Sequence, residues 1–174
     1  MATTTQVPLE VYLRSQFEPA AEYVDGEILE RPMGELDHAD WQAAIFTWFL
    51  NHAKQWNIRA FPEIRVQVTP QNFRIPDVTV LDRSLPIEQT ITHPPLAVFE
   101  VLSPEDTVKR LKQKLAEYAK MGIPQIWVVD PDNGSFERYE AGRLTPATRF
   151  EQGVLQFDVV EIATLLQASG IEPA

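Results

Sequence analysis

The chain contains no cysteine. That absence removes disulfides, thiolate metal sites and cysteine nucleophiles together, so a reducing cytoplasm is the expected compartment and structural zinc is not expected. No apolar run reaches the length of a signal-peptide core or a membrane span, and the opening Met1 to Gln6 is polar and uncharged, so a soluble protein without membrane partners is expected. Positive charge is scarce: 15 Lys and Arg face 25 Asp and Glu, a formal net charge of −10. Such a balance opposes salt-driven attachment to a phosphate backbone and argues against a dedicated nucleic-acid binder. It argues less against a nuclease, because an acidic metal site adds to the count and divalent cations cancel part of it when bound. Repeats, low-complexity tracts and interdomain linkers are also missing.

What is present is globular composition, 44% hydrophobic over 174 residues, which predicts a single domain over 1–174 with its core at about 22–140. Pro8 to Leu13 reads as a short helix. Asp25-Gly26 between the apolar arms Tyr23-Val24 and Ile28-Leu29 predicts a hairpin that caps the domain. Asp37 is a candidate N-cap for a helix running from His38 to Trp56 on apolar spacings of three and four. Alternation over Phe61 to Thr69 predicts one half-buried strand with Glu63 on its polar face, followed by a turn at Pro70 to Asn72. Val78 to Leu81 and Leu96 to Leu102 read as strands separated by a proline-rich loop. A second helix is expected from Pro104 or Glu105, with Val108, Leu111, Leu115, Tyr118 and Ala119 as its stripe and Gly122 as its stop. Gln125 to Val129 and Ser135 to Tyr139 follow as strands about the Asp130 to Gly134 turn, and Gly142 marks a further reversal. Val154 to Val159 and Ile162 to Ala168 read as a last strand and helix.

Two carboxylates interrupt this pattern. Glu100 breaks an apolar strand face between Val98 and Leu102, and Asp77 follows a proline at the start of its own strand. Burying a carboxylate is costly unless a cation, a proton or a donor compensates it. If the two strands are neighbours the carboxylates converge, and hard oxygen ligands without cysteine favour Mg²⁺ or Mn²⁺. Such an ion could activate water and stabilise charge on a phosphate, and a nearby lysine would complete the site. Lys112 and Lys114 border opposite sides of the second helix's stripe, so spacing alone permits either.

Pro76-Asp77 and Glu100-Val101-Leu102-Ser103-Pro104 resemble the PD-(D/E)xK nucleases, and more specifically the Uma-type family of restriction endonuclease-like proteins with its Glu-Val-x-Ser-Pro. The resemblance runs from about Glu22 to Pro131 and includes Asp25-Gly26-Glu27, His38, Lys114, Tyr118, Gly122, Trp127, Asp130 and Pro131. It implies an α/β restriction endonuclease-like fold, a mixed central β-sheet flanked by helices with an N-terminal hairpin. It also implies Mg²⁺- or Mn²⁺-dependent hydrolysis of DNA phosphodiesters, with Asp77, Glu100 and the main-chain carbonyl of Val101 as metal ligands. Glu63 is a possible third carboxylate. The superfamily's usual lysine position is Leu102 here, and the Uma-type pattern displaces the lysine to the next helix, at Lys114.

Other meanings stand beside these. Asp77 could pair with Arg74, and Glu100 with an internal Arg or Lys. His38, on the face of Trp41 and Ile45, reads as a packed histidine, with an accessory site role as the alternative. The basic run Lys109 to Lys114 is a solvated face or a phosphate guide. A catalytically inactive nuclease-fold module serving DNA association or protein interaction, and a hydrolase of small phosphoesters, are the competing functions; a homodimer would suit cleavage of two strands.

Overall fold

The computed structural model describes residues 6–31 and 34–168; residues 1–5 of the polar opening lie outside it. The chain forms α1 (Leu9–Arg14), β1 (Ala21–Val24), β2 (Glu27–Glu30), α2 (Leu36–Trp56), β3 (Ile58–Pro62), β4 (Val66–Gln67), β5 (Phe73–Arg74), β6 (Val78–Asp82) and β7 (Ala97–Val101). It continues with α3 (Val108–Met121), β8 (Gln125–Asp130), β9 (Ser135–Glu140), β10 (Arg143–Pro146), β11 (Arg149–Gln152), β12 (Leu155–Asp158) and α4 (Val160–Ala168).

The main sheet has the order β10-β9-β8-β7-β6-β3. Only β7 and β8 pair in parallel, joined by α3, and their neighbours are antiparallel, so the sheet is mixed. Residue alternation along β7 assigns its two faces. Ala97, Phe99 and Val101 share a core with Trp48 and Phe49 of α2 and Ile162 of α4. Val98 packs with Leu115 and Tyr118 of α3, so Glu100 faces α3 as well. The expected sheet flanked by helices is therefore present.

A smaller sheet, β2-β1-β5-β4, stands beside it. Its hairpin turns at Asp25 and Gly26, whose φ of 53° and 87° are those a tight two-residue hairpin turn demands, as the Asp-Gly pair predicts. Tyr12 of α1 closes this sheet by stacking on Tyr23, with centroids 5.0 Å apart, and by donating to the Ala21 carbonyl at 2.9 Å. The segment Ile75-Pro76-Asp77 crosses from β5 in the small sheet to β6 in the large one. This crossing sets the site at the seam.

Four local expectations are corrected. Phe61 to Thr69 is not one strand: β3 ends at Pro62, Glu63 turns the chain at φ 50°, and β4 joins the other sheet. The alternation survives because even-numbered positions stay buried across the break, Ile58 and Ala60 in the core under α2 and Val66 and Val68 in the core under α3, while the proline with the left-handed Glu63 breaks the ladder between them. Helix α2 is preceded by Glu35, with Asp37 in the first turn instead of at the cap. Helix α3 starts at Val108, since Thr107 Oγ1 accepts the Arg110 amide at 3.3 Å, while Ser103 to Asp106 forms its own turn with Asp106 Oδ2 on the Ser103 amide at 2.8 Å. Val108 is 69% exposed and does not belong to the apolar stripe. Strands β10 and β11 have no counterpart in the expected elements.

Candidate active site

Asp77 and Glu100 come from neighbouring strands. The antiparallel register pairs Val78 with Phe99, and one further step sets Asp77 opposite Glu100. Both are buried and both line one cavity, with Glu22, Arg31, His38, Arg74 and Lys114 among the other walls.

Each carboxylate has fixed partners. Asp77 Oδ2 accepts the Val101 amide at 2.7 Å and lies 3.3 Å from His38 Nε2, while Oδ1 takes the Arg31 guanidinium. Burial opposes charge on Asp77, but the His38 hydrogen bond and the Arg31 charge outweigh it and hold the carboxyl below its ordinary range. The hydrogen bond to Asp77 in turn raises His38. Gln42 of α2 donates to the Asp77 carbonyl at 3.0 Å and fixes the backbone beneath the side chain.

Glu100 behaves oppositely. Its Oε1 accepts the Tyr118 hydroxyl at 2.6 Å and its Oε2 lies 3.3 Å from Lys114 Nζ. Burial pushes it up to about 7, with Asp77 and Glu22 adding to the rise and Lys114 opposing it. Burial raises the Tyr118 phenol as well, so the hydroxyl stays a donor.

Lys114 also reaches Glu22 Oε1, at 3.2 Å. Burial disfavours its charge, yet Glu100 and Glu22 raise it above the ordinary lysine value. It is a held cation and not a base. Glu22 is buried in β1 and ties three parts of the site together: Lys114, the Ile75 amide at 2.9 Å, and Arg74 Nη1 at 3.0 Å. Burial would raise Glu22, but Lys114 and Arg74 hold it low. Arg74 then bonds Glu117 at 2.6 Å, so Arg74 serves Glu22 and Glu117 instead of Asp77.

A divalent cation can be tested against these donors. The peptide plane puts the Val101 carbonyl opposite the Leu102 amide, which bonds Val129 on β8, so the carbonyl faces the β6 edge where Asp77 sits. Two buried carboxylates and a carbonyl are hard oxygen donors, and a dication would offset the burial cost that, with the neighbouring Asp77 and Glu22 charges, raises Glu100. The donor set fits. Among the described residues, no group of three or more His, Asp or Glu side chains stands ready to hold a metal.

A family model described as "Putative restriction endonuclease", named Uma2, matches residues 9–167. The chain belongs to the Uma2 family. Its fold is restriction endonuclease-like, similar to the crystal structure of "a putative nuclease belonging to DUF820 from Anabaena variabilis ATCC 29413". That likeness has a TM-score of 0.76 at 22% identity and covers 92% of this chain and 99% of the other. The "DrdV-DNA complex" resembles it at 20% identity over 75% of this chain and 11% of that one, with a TM-score of 0.41 too low to argue from. No curated protein matches.

Of the residues singled out in this Uma2 sequence, Asp77, Glu100, Val101, His38 and Lys114 all line the cavity. Lys112 lies on the exposed face of α3 and is not among the lining residues, which separates two lysines that spacing could not. Glu63 sits at the left-handed turn after β3, 49% exposed, and reaches the site through Arg31 at 3.1 Å. Glu22, Arg31, Arg74 and Tyr118 were not singled out as site residues. A buried Glu between Ala21 and Tyr23 carries the same interruption signal as Glu100, but a four-residue strand is too short to display it. No helix among the described residues is long and apolar enough to cross a membrane.

Proposed function

We propose that the protein is a single-domain, metal-dependent DNA endonuclease that hydrolyses phosphodiester bonds, with Asp77, Glu100 and the Val101 carbonyl as ligands for Mg²⁺ or Mn²⁺. The observation that carries this reading is Glu100: a buried carboxylate pushed up to about 7, facing a second buried carboxylate, with a lysine at 3.3 Å. The bound ion would supply positive charge at the phosphate and acidify water. Tyr118 and the strand hold Glu100 in one orientation, and the Val101 amide and Gln42 do the same for Asp77. Lys114 remains protonated, so its part is to orient the nucleophile by donation and to stabilise charge developing on the phosphate. Glu63 is an outer carboxylate that acts through Arg31. The acidic net charge leaves nonspecific duplex binding weak, so cleavage depends on the local site.

The test is incubation with supercoiled, linear, branched and single-stranded DNA plus Mn²⁺, beside Glu100→Gln. Nicking by the native protein and its loss in the variant are expected; equal nicking by both rules the reading out. A non-catalytic nuclease-fold module is favoured by one observation, that both oxygens of Asp77 already have protein partners. That module would bind DNA or protein without any metal-dependent turnover.

A further inference from the structure

Arg31 directly follows β2 and sends its guanidinium into the seam between the sheets, where Nη1 meets Glu63 Oε1 at 3.1 Å and Nη2 meets Asp77 Oδ1. Both Asp77 oxygens are thereby committed, Oδ1 to Arg31 and Oδ2 to the Val101 amide and His38. Oδ1 has one donor among the described residues and keeps a lone pair for a cation, but an ion bound there would sit against the Arg31 charge unless that side chain moves away. The Val101 amide belongs to the buried strand β7 and cannot retreat. His38 sits on the first turn of α2, where the helix fixes its backbone. Arg31 is the long, flexible side chain of the three, its second anchor is the half-exposed Glu63, and its charge directly repels an incoming dication. The residue also lines the cavity, so a guanidinium released from Oδ1 stays beside whatever occupies it. A guanidinium presents five donors in a planar fork that matches phosphate oxygens.

Resting on the metal-dependent reading above, we infer that Arg31 is an internal counter-ion that gives up Asp77 Oδ1 when the metal loads and passes to the phosphate of the DNA strand. It is therefore both a brake on metal binding and a substrate contact. The brake has an unusual signature, because removing a residue of the site improves one of its functions.

Calorimetric titration of Mn²⁺ into the full chain without DNA tests the first half. Arg31→Met is expected to bind Mn²⁺ about ten-fold more tightly than the native protein. Arg31→Lys keeps the charge but cannot span both carboxylates, so it is expected to fall between the two and serves if the methionine variant folds poorly by circular dichroism. Fluorescence anisotropy with a short duplex in Ca²⁺ tests the second half: Arg31→Met should weaken binding several-fold and lower the salt slope by about one phosphate contact. Equal or weaker Mn²⁺ binding in both variants overturns the brake, and unchanged DNA binding overturns the transfer. Absence of Mn²⁺ binding in the native protein and in both variants instead removes the metal-dependent reading itself, and the inference with it.

Discussion

The two faces of β7 differ as much as any two regions of the molecule. Towards α2, Phe99 stacks in a dry aromatic layer with Trp127 and Phe150, at centroid separations of 6.2 and 6.3 Å, and the Trp127 indole donates to Gln125 Oε1 at 2.9 Å. Towards α3, the next residue along is Glu100, surrounded by Tyr118, Lys114 and, beyond them, Glu22 and Arg74. One strand thus separates a layer that stabilises the fold from a layer that costs stability to keep charges in place. The difference teaches that the aromatic side holds the frame while the polar side keeps ionisable groups buried at fixed positions.

Substitutions should separate the faces. The largest effect on stability is expected from Phe49→Ala, which opens a cavity in the dry layer and should cost about 3–5 kcal/mol in urea unfolding. Next comes a pH effect on the polar face. A carboxyl whose folded value is about 7 binds its proton more tightly folded than unfolded, so the contribution of Glu100 to stability is lost as pH rises from about 4.5 to about 7. Glu100→Gln cannot ionise; relative to the native protein it should gain up to about 3 kcal/mol between pH 4 and pH 8, read from urea midpoints at both. Tyr118→Phe removes one donor to Glu100 and should cost about 1–2 kcal/mol at pH 8, less at pH 4. Lys112→Ala, on the exposed face of α3, should change stability by no more than about 0.5 kcal/mol and leave DNA nicking intact.

Much of this contrast was legible in the amino-acid order. The Asp-Gly hairpin, the long stripe from Trp41 to Trp56 and the interruption at Glu100 are local signals, and each corresponds to the element it predicts. The adjacency of Asp77 and Glu100 followed once two short strands were assumed to pair, and the Uma-type resemblance selected Lys114 where helical spacing alone could not. Other features depend on contacts between distant segments. Glu22 acquires its meaning only by meeting Ile75, Arg74 and Lys114, and Arg31 only by meeting Asp77 across the seam. The break at Pro62-Glu63 was hidden because burial alternates on both sides of it. The start of α3 was displaced by a side-chain competition in which Thr107 caps the helix and Asp106 closes a separate turn.

The metal-site claim faces its most direct test in calorimetry of Mn²⁺ binding to the native protein, Asp77→Asn and Glu100→Gln at pH 8. Binding by the native protein, weakened at least about ten-fold in each variant, is the predicted result. No binding by the native protein, or equal binding by all three, would contradict it.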